Sequence, residues 1–152
     1  MNIYMKRVLL FLFFISIICC DTKDSTPDCS TVLCAAFDLY IKIIDTDTST
    51  NYIVKNNITE DDISITNSNN EPIDFSLVSN SESPLFGSII FLANSTNNPT
   101  LSVLNLDDIN ISYTVMPPTT NACCDFGSIE NLSVNDFQFE FNSELNLLTI
   151  SL

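Results

Sequence analysis

Histidine and tryptophan are absent from this 152-residue chain, glycine occurs twice, and only five basic side chains stand against 19 acidic ones. Each shortage excludes something. Without imidazole there is no Ser-His or Cys-His nucleophile pair, no histidine general base and no His-ligated metal. With glycine only at Gly87 and Gly127, no glycine-rich loop can cradle a phosphate. A formal charge of -14 repels phosphate backbones, so nucleic acid is not an expected partner. The missing indole removes both a stacking platform for sugars and one marker of antibody-type domains. What the chain does have is six cysteines and a long series of short apolar runs.

The first cysteines follow an export pattern. Lys6 and Arg7 precede the run Val8 to Ile18, which is apolar except for Ser16. That is the layout of a signal peptide. The run is shorter than the ~20 residues of a spanning helix, and Cys19 and Cys20 follow it at once. Ile17-Ile18-Cys19-Cys20 resembles a bacterial lipobox, whose cysteine receives diacylglycerol and becomes the mature N-terminus. Cys20 is the expected lipidation residue, because the compact Cys19 would then precede the cut; choosing Cys19 puts bulky Ile18 there. Several acyl chains anchor stably where one binds only marginally. The expected organisation is therefore a lipoprotein signal peptide over 1–19, a tether with the lipidated cysteine over 20–35, and a folded domain over 36–152. Asp21-Thr22-Lys23-Asp24-Ser25-Thr26-Pro27-Asp28 is polar and carries a proline, as a flexible tether does. Cleavage removes Lys6 and Arg7 and no acid, so the mature chain is more acidic still.

The rest reads as all-β. Leu39, Ile41 and Ile43 share one face of a run, as do Ile63 and Ile65, then Ile73, Phe75 and Leu77. Ile109, Ile111, Tyr113 and Val115 form the clearest alternation; Phe137, Phe139 and Phe141 and then Leu148, Ile150 and Leu152 close the series. Leu85 to Leu92 is apolar on both faces apart from Gly87 and Ser88 and predicts a central strand covered on both sides. About eight strands without an amphipathic helix pattern predict an immunoglobulin-like or transthyretin-like β-sandwich. The Asn-rich loops between the runs read as compositional bias supplying polar turn residues.

Taken together, Cys29-x₄-Cys34 before the first strand, the strand Leu39-Tyr40-Ile41-Lys42-Ile43 and the late Cys123-Cys124 pair make the chain resemble small lipoproteins of the Bacteroidota. The resemblance transfers no activity. It implies an outer-membrane lipoprotein of the cell envelope, because acidic residues directly after the modified cysteine resemble that group's surface-export signals; in the enterobacterial scheme Asp21 would instead retain it at the inner membrane. Asp24-Ser25-Thr26 also looks like that group's O-glycosylation sequon.

Two constellations remain. Cys29, Cys34, Cys123 and Cys124 belong to an exported chain and predict two disulfides. Pairing Cys29 with Cys34 would force a strained vicinal bond between Cys123 and Cys124, so both bridges should link the N-terminal segment to the late loop, in either crossed arrangement. Asp45-Thr46-Asp47-Thr48-Ser49-Thr50-Asn51 sets Asp45, Asp47, Ser49 and Asn51 at alternate positions, as in a calcium loop. Thr50 stands where that motif needs Gly and Asn56 where it needs a bidentate Glu, so the competing expectation is a solvated hairpin between strands around Ile43 and Ile53. No other cofactor is implied. The expected function is a non-enzymatic binding or structural module, held on the membrane by acyl chains and facing a protein or glycan. The alternative is a small envelope enzyme or hydrolase-associated module that uses acidic residues, with or without calcium.

Overall fold

Alternation of apolar and polar side chains builds the strands and decides which way each one faces. The computed structural model describes residues 28–34, 37–93, 98–120 and 122–152. The expected signal peptide and both candidate lipidation residues, Cys19 and Cys20, lie outside the described residues, as does Asp24-Ser25-Thr26. The chain divides into Met1–Thr31 and Val32–Leu152, and the second unit carries all the regular structure described below.

Leu39, Ile41 and Ile43 are fully buried on one face of β1 (Asp38–Asp45), with Tyr40, Lys42 and Ile44 half-exposed on the other. A turn leads to β2 (Thr50–Asn51), a helical turn α1 (Tyr52–Lys55) and a 3-10 turn (Glu60–Asp62). Then come β3 (Ile63–Thr66), β4 (Phe75–Leu77), β5 (Ile89–Leu92), β6 (Thr100–Val103), β7 (Ile109–Met116), β8 (Ser128–Val134), β9 (Gln138–Asn142) and β10 (Leu147–Ser151). One sheet runs β4-β5-β1-β10-β9, with β2 beside the far end of β1; the other runs β3-β6-β7-β8. Pairing is antiparallel except between β1 and β10, where Tyr40 meets Leu147 and Ile43 meets Ile150. Ile41, Ile89, Leu148 and Ile150 from the first sheet and Leu101, Ile109 and Ile111 from the second belong to one buried cluster. The architecture is an all-β sandwich.

Three details correct the sequence reading. There are ten strands where about eight were expected: β6 and β8 were not anticipated, and β2 is a two-residue pairing. Ile53 lies in α1 and not in a strand, because the Asn51 side chain caps that turn, accepting from the backbone N–H of Ile53 at 2.9 Å and of Val54 at 3.3 Å. Only Ile89–Leu92 of the Leu85–Leu92 run is strand, and one face alone is covered: Ile89 and Phe91 are buried whereas Leu92 is exposed.

The shortage of glycine has a structural answer. Asn57, Asn70, Asn105, Asn131 and Asn146 all adopt positive φ, as does Asp136. Asn tolerates the left-handed region because its short polar side chain can bond locally, so asparagine takes turn positions that glycine fills elsewhere. At Asn131 the effect is a bulge: Ser112 pairs with Ser133 and Thr114 with Glu130, which leaves Asn131 and Leu132 opposite Tyr113.

Candidate functional site

The candidate calcium loop is the turn between β1 and β2, and two of its four donors, Asp45 and Asn51, are already committed. Asp45 Oδ2 lies 2.6 Å from Lys55 Nζ, and Asp45 Oδ1 accepts from the Thr48 N–H at 3.1 Å. The Lys55 hydrogen bond is the main reason the Asp45 carboxyl sits below its ordinary range, with the Thr48 bonds adding to it. Lys55 Nζ also donates to Thr48 Oγ1 at 3.2 Å, so an ammonium occupies the place of a metal cation. Asn51 Oδ1 is used by the α1 cap, and Ser49 turns the chain at φ 53. Asp47 is exposed, and nothing joins it to Asp45, Ser49 and Asn51 in one shell. This set does not suit calcium, and among the described residues no group of three or more His, Cys, Asp or Glu could hold a metal.

The same turn forms one wall of an open groove of about 640 Å³ on the outward side of β1. The β4–β5 connection forms the opposite wall. It folds on itself through Ser83 N–H to Asn80 O and Phe86 N–H to Ser83 O, both 3.0 Å, and Gly87 N–H to Val78 O at 2.9 Å. Asn51 fastens it to α1, since its Nδ2 donates to Phe86 O at 3.3 Å and to Gly87 O at 3.1 Å. One side chain therefore caps the helical turn and clamps the loop. Gly87 permits this approach: at φ +71, a Cβ there would stand 2.4 Å from Val54 Cγ2. Val54, Pro84 and Phe86 make the groove mainly apolar, and Thr48, Thr50 and Ser83 add hydroxyls.

Lys42 and Lys55 are the only basic residues among the described ones, and both line this groove. Lys55 is neutralised by Asp45. Lys42 makes a single contact of 3.4 Å to Pro84 O and has no described carboxylate partner. Sequence reasoning missed both lysines. The available signal was their rarity in so acidic a chain.

The cysteines come together as expected, and the structure chooses between the crossed arrangements: Cys34 is bonded to Cys124, with Cα atoms 5.3 Å apart and a sequence separation of 90. Cys29 and Cys123 are disulfide-bonded as well. Beside the bridge, Phe37 stacks on Phe126 with ring centroids 6.3 Å apart. Asp125 secures the loop that carries Cys124: Oδ2 accepts from Thr120 Oγ1 at 2.7 Å, Thr120 N–H at 2.8 Å and Thr119 N–H at 3.1 Å, and Oδ1 from Gly127 N–H at 3.0 Å. These bonds, Thr120 first, hold its carboxyl below the usual range. Burial raises the Asp38 carboxyl, with desolvation rather than a facing acid as the cause. No protein family, curated protein or solved structure matches the chain.

Proposed function

We propose that this protein is a lipid-anchored module of the cell envelope that displays an acidic β-sandwich for non-covalent binding or structural support. The observation that carries the reading is the Cys34–Cys124 bridge, since a bond of this kind persists in oxidising compartments. It agrees with the basic-then-apolar N-terminus ending at Cys19 and Cys20 and with the polar segment from Asp21 to Asp28. Location at the outer membrane, facing outward, is part of the same proposal and rests on the acids that follow Cys20. A binding role follows from a rigid two-sheet scaffold that carries a preformed groove, and from a composition without imidazole.

Metabolic labelling with palmitate tests the anchor: the wild-type chain takes up label and Cys20→Ala takes up none. Label retained by Cys20→Ala and lost in Cys19→Ala would move the site by one residue, and label retained by the double variant would sink the anchor. Protease treatment of intact cells tests the outward placement, which predicts loss of the protein; full protection would put it inside.

A further inference from the structure

We propose that the groove between the β1–β2 turn and the β4–β5 connection binds a small organic monocarboxylate with an apolar body. This rests on the reading of the domain as a binding module and names the ligand class of its groove. The first observation is a concentration of charge. The described residues contain two cations in a strongly acidic chain, and both line one cavity. They are not equivalent. Lys55 is held by Asp45 at 2.6 Å, whereas Lys42 spends one long bond of 3.4 Å on Pro84 O. An ammonium has three donors, so Lys42 keeps donors for a guest.

The second observation is the wall chemistry. Val54, Pro84 and Phe86 offer apolar contact, and Thr48, Thr50 and Ser83 surround it with hydroxyls. An apolar wall with a few fixed polar groups is the usual composition of a small-molecule site, and the volume of about 640 Å³ falls within the usual size range for one. The third is pre-organisation, because the Asn51 clamp and the close approach at Gly87 hold both walls before any guest arrives.

Charge arithmetic selects the monoanion. The net charge of -14 makes each negative charge on a ligand costly, and one uncommitted ammonium offsets one of them. A phosphate dianion would need a second free cation or a bidentate arginine, and the described residues contain neither. A neutral apolar guest would leave Lys42 without a partner while covering it.

Three probes of one shape decide the matter: phenylacetate, phenylacetamide and phenethylammonium, titrated into the full chain in a nonionic detergent and followed by amide chemical shifts. Phenylacetate is expected to bind roughly tenfold tighter than phenylacetamide, with shifts centred on Lys42, Thr48 and Phe86. Lys42→Gln should remove that difference while Lys42→Arg keeps most of it, and a thermal melt of each variant shows that the fold is intact. Equal binding of acid and amide, tighter binding of the ammonium, shifts centred elsewhere, or no binding at about 10 mM would each overturn the proposal. Because the probes bypass the anchor, a failure here leaves the labelling result standing, and failed labelling leaves this result standing.

Discussion

The two sheets of the sandwich share one interior but present different exteriors. Outward on the first sheet, Tyr40 pairs with Leu147 on one side and with Ile90 on the other, so an apolar row crosses three strands, flanked by Lys42 and exposed Leu92. Outward on the second sheet stand Ser64, Thr100, Ser102, Asn110, Ser112 and Thr114. Four of these have side-chain partners: Thr100 Oγ1 donates to Asn110 Oδ1 at 2.8 Å, Ser102 Oγ donates to Asp108 Oδ1 at 2.6 Å, and the Ser112 and Ser133 hydroxyls meet at 2.7 Å. A face whose polar groups pair internally has little left for a partner. The first sheet keeps apolar area and an uncommitted cation, and there the groove lies.

The contrast can be tested in descending order of effect. Reducing the disulfides frees the segment before the first sheet from the loop between β7 and β8, and should lower stability by about 4 kcal/mol in the chain-entropy account for a loop of this length. Urea titrations with and without reductant measure this, and coincident curves would show that the bridge is idle. Inner positions should respond alike: Ile41→Ala in one sheet and Leu101→Ala in the other, both fully buried, should each cost about 3 kcal/mol. A marked asymmetry would mean that the two inner faces do not form one core.

Asn51→Ala should cost about 1 kcal/mol through the lost cap, with faster amide exchange confined to α1 and the β4–β5 connection. Unchanged exchange at Phe86 and Gly87 would remove Asn51 from the groove's support. Outer positions should separate without much energy. Leu92→Ser and Ser112→Val should each shift stability by about 0.5 kcal/mol or less, while hydrophobic dye binding falls for the first and rises for the second.

Acid should act weakly on both sheets. Asp45 and Asp125 have lowered carboxyls in the fold, so their contribution is present above the ordinary aspartate value of 3.8 and fades as pH drops below it through the folded values. Asp38 has the opposite sign, since its raised carboxyl favours the fold as it protonates. Asp125→Asn should flatten the acid limb of a melting-temperature profile, and an unchanged limb would remove that loop from the account.

Much of this fold was legible because alternation is a local property. β1, β3, β7 and β10 show period two directly in Leu39-Ile41-Ile43, Ile63-Ile65, Ile109-Ile111-Tyr113 and Leu148-Ile150, and each set is buried as expected. β8 escaped because the bulge at Asn131 shifts the alternation partway along, and β6 because Leu101 and Val103 alone make too short a pattern. The asparagines looked like bias, since backbone dihedrals leave no periodic trace. The groove was illegible for another reason. Lys42, Lys55 and Phe86 lie in separate parts of the chain, and only the pairing of β1 with β5 and the Asn51 clamp bring them together. The cysteines were easier: their number and the expected export implied two bridges, and the adjacency of Cys123 and Cys124 implied that they cross, but choosing Cys124 for Cys34 needed coordinates.

The parallel ladder between β1 and β10 also sets a timetable. Tyr40 to Ile44 must wait for Leu147 to Ser151, roughly a hundred residues later, before the middle of the first sheet can close. Contacts so distant in sequence form late, because the loop-closure entropy falls due before any of their pairing energy returns. A nascent chain built this way keeps the middle of its first sheet open until β10 has emerged, and only then can β1 gain its second neighbour.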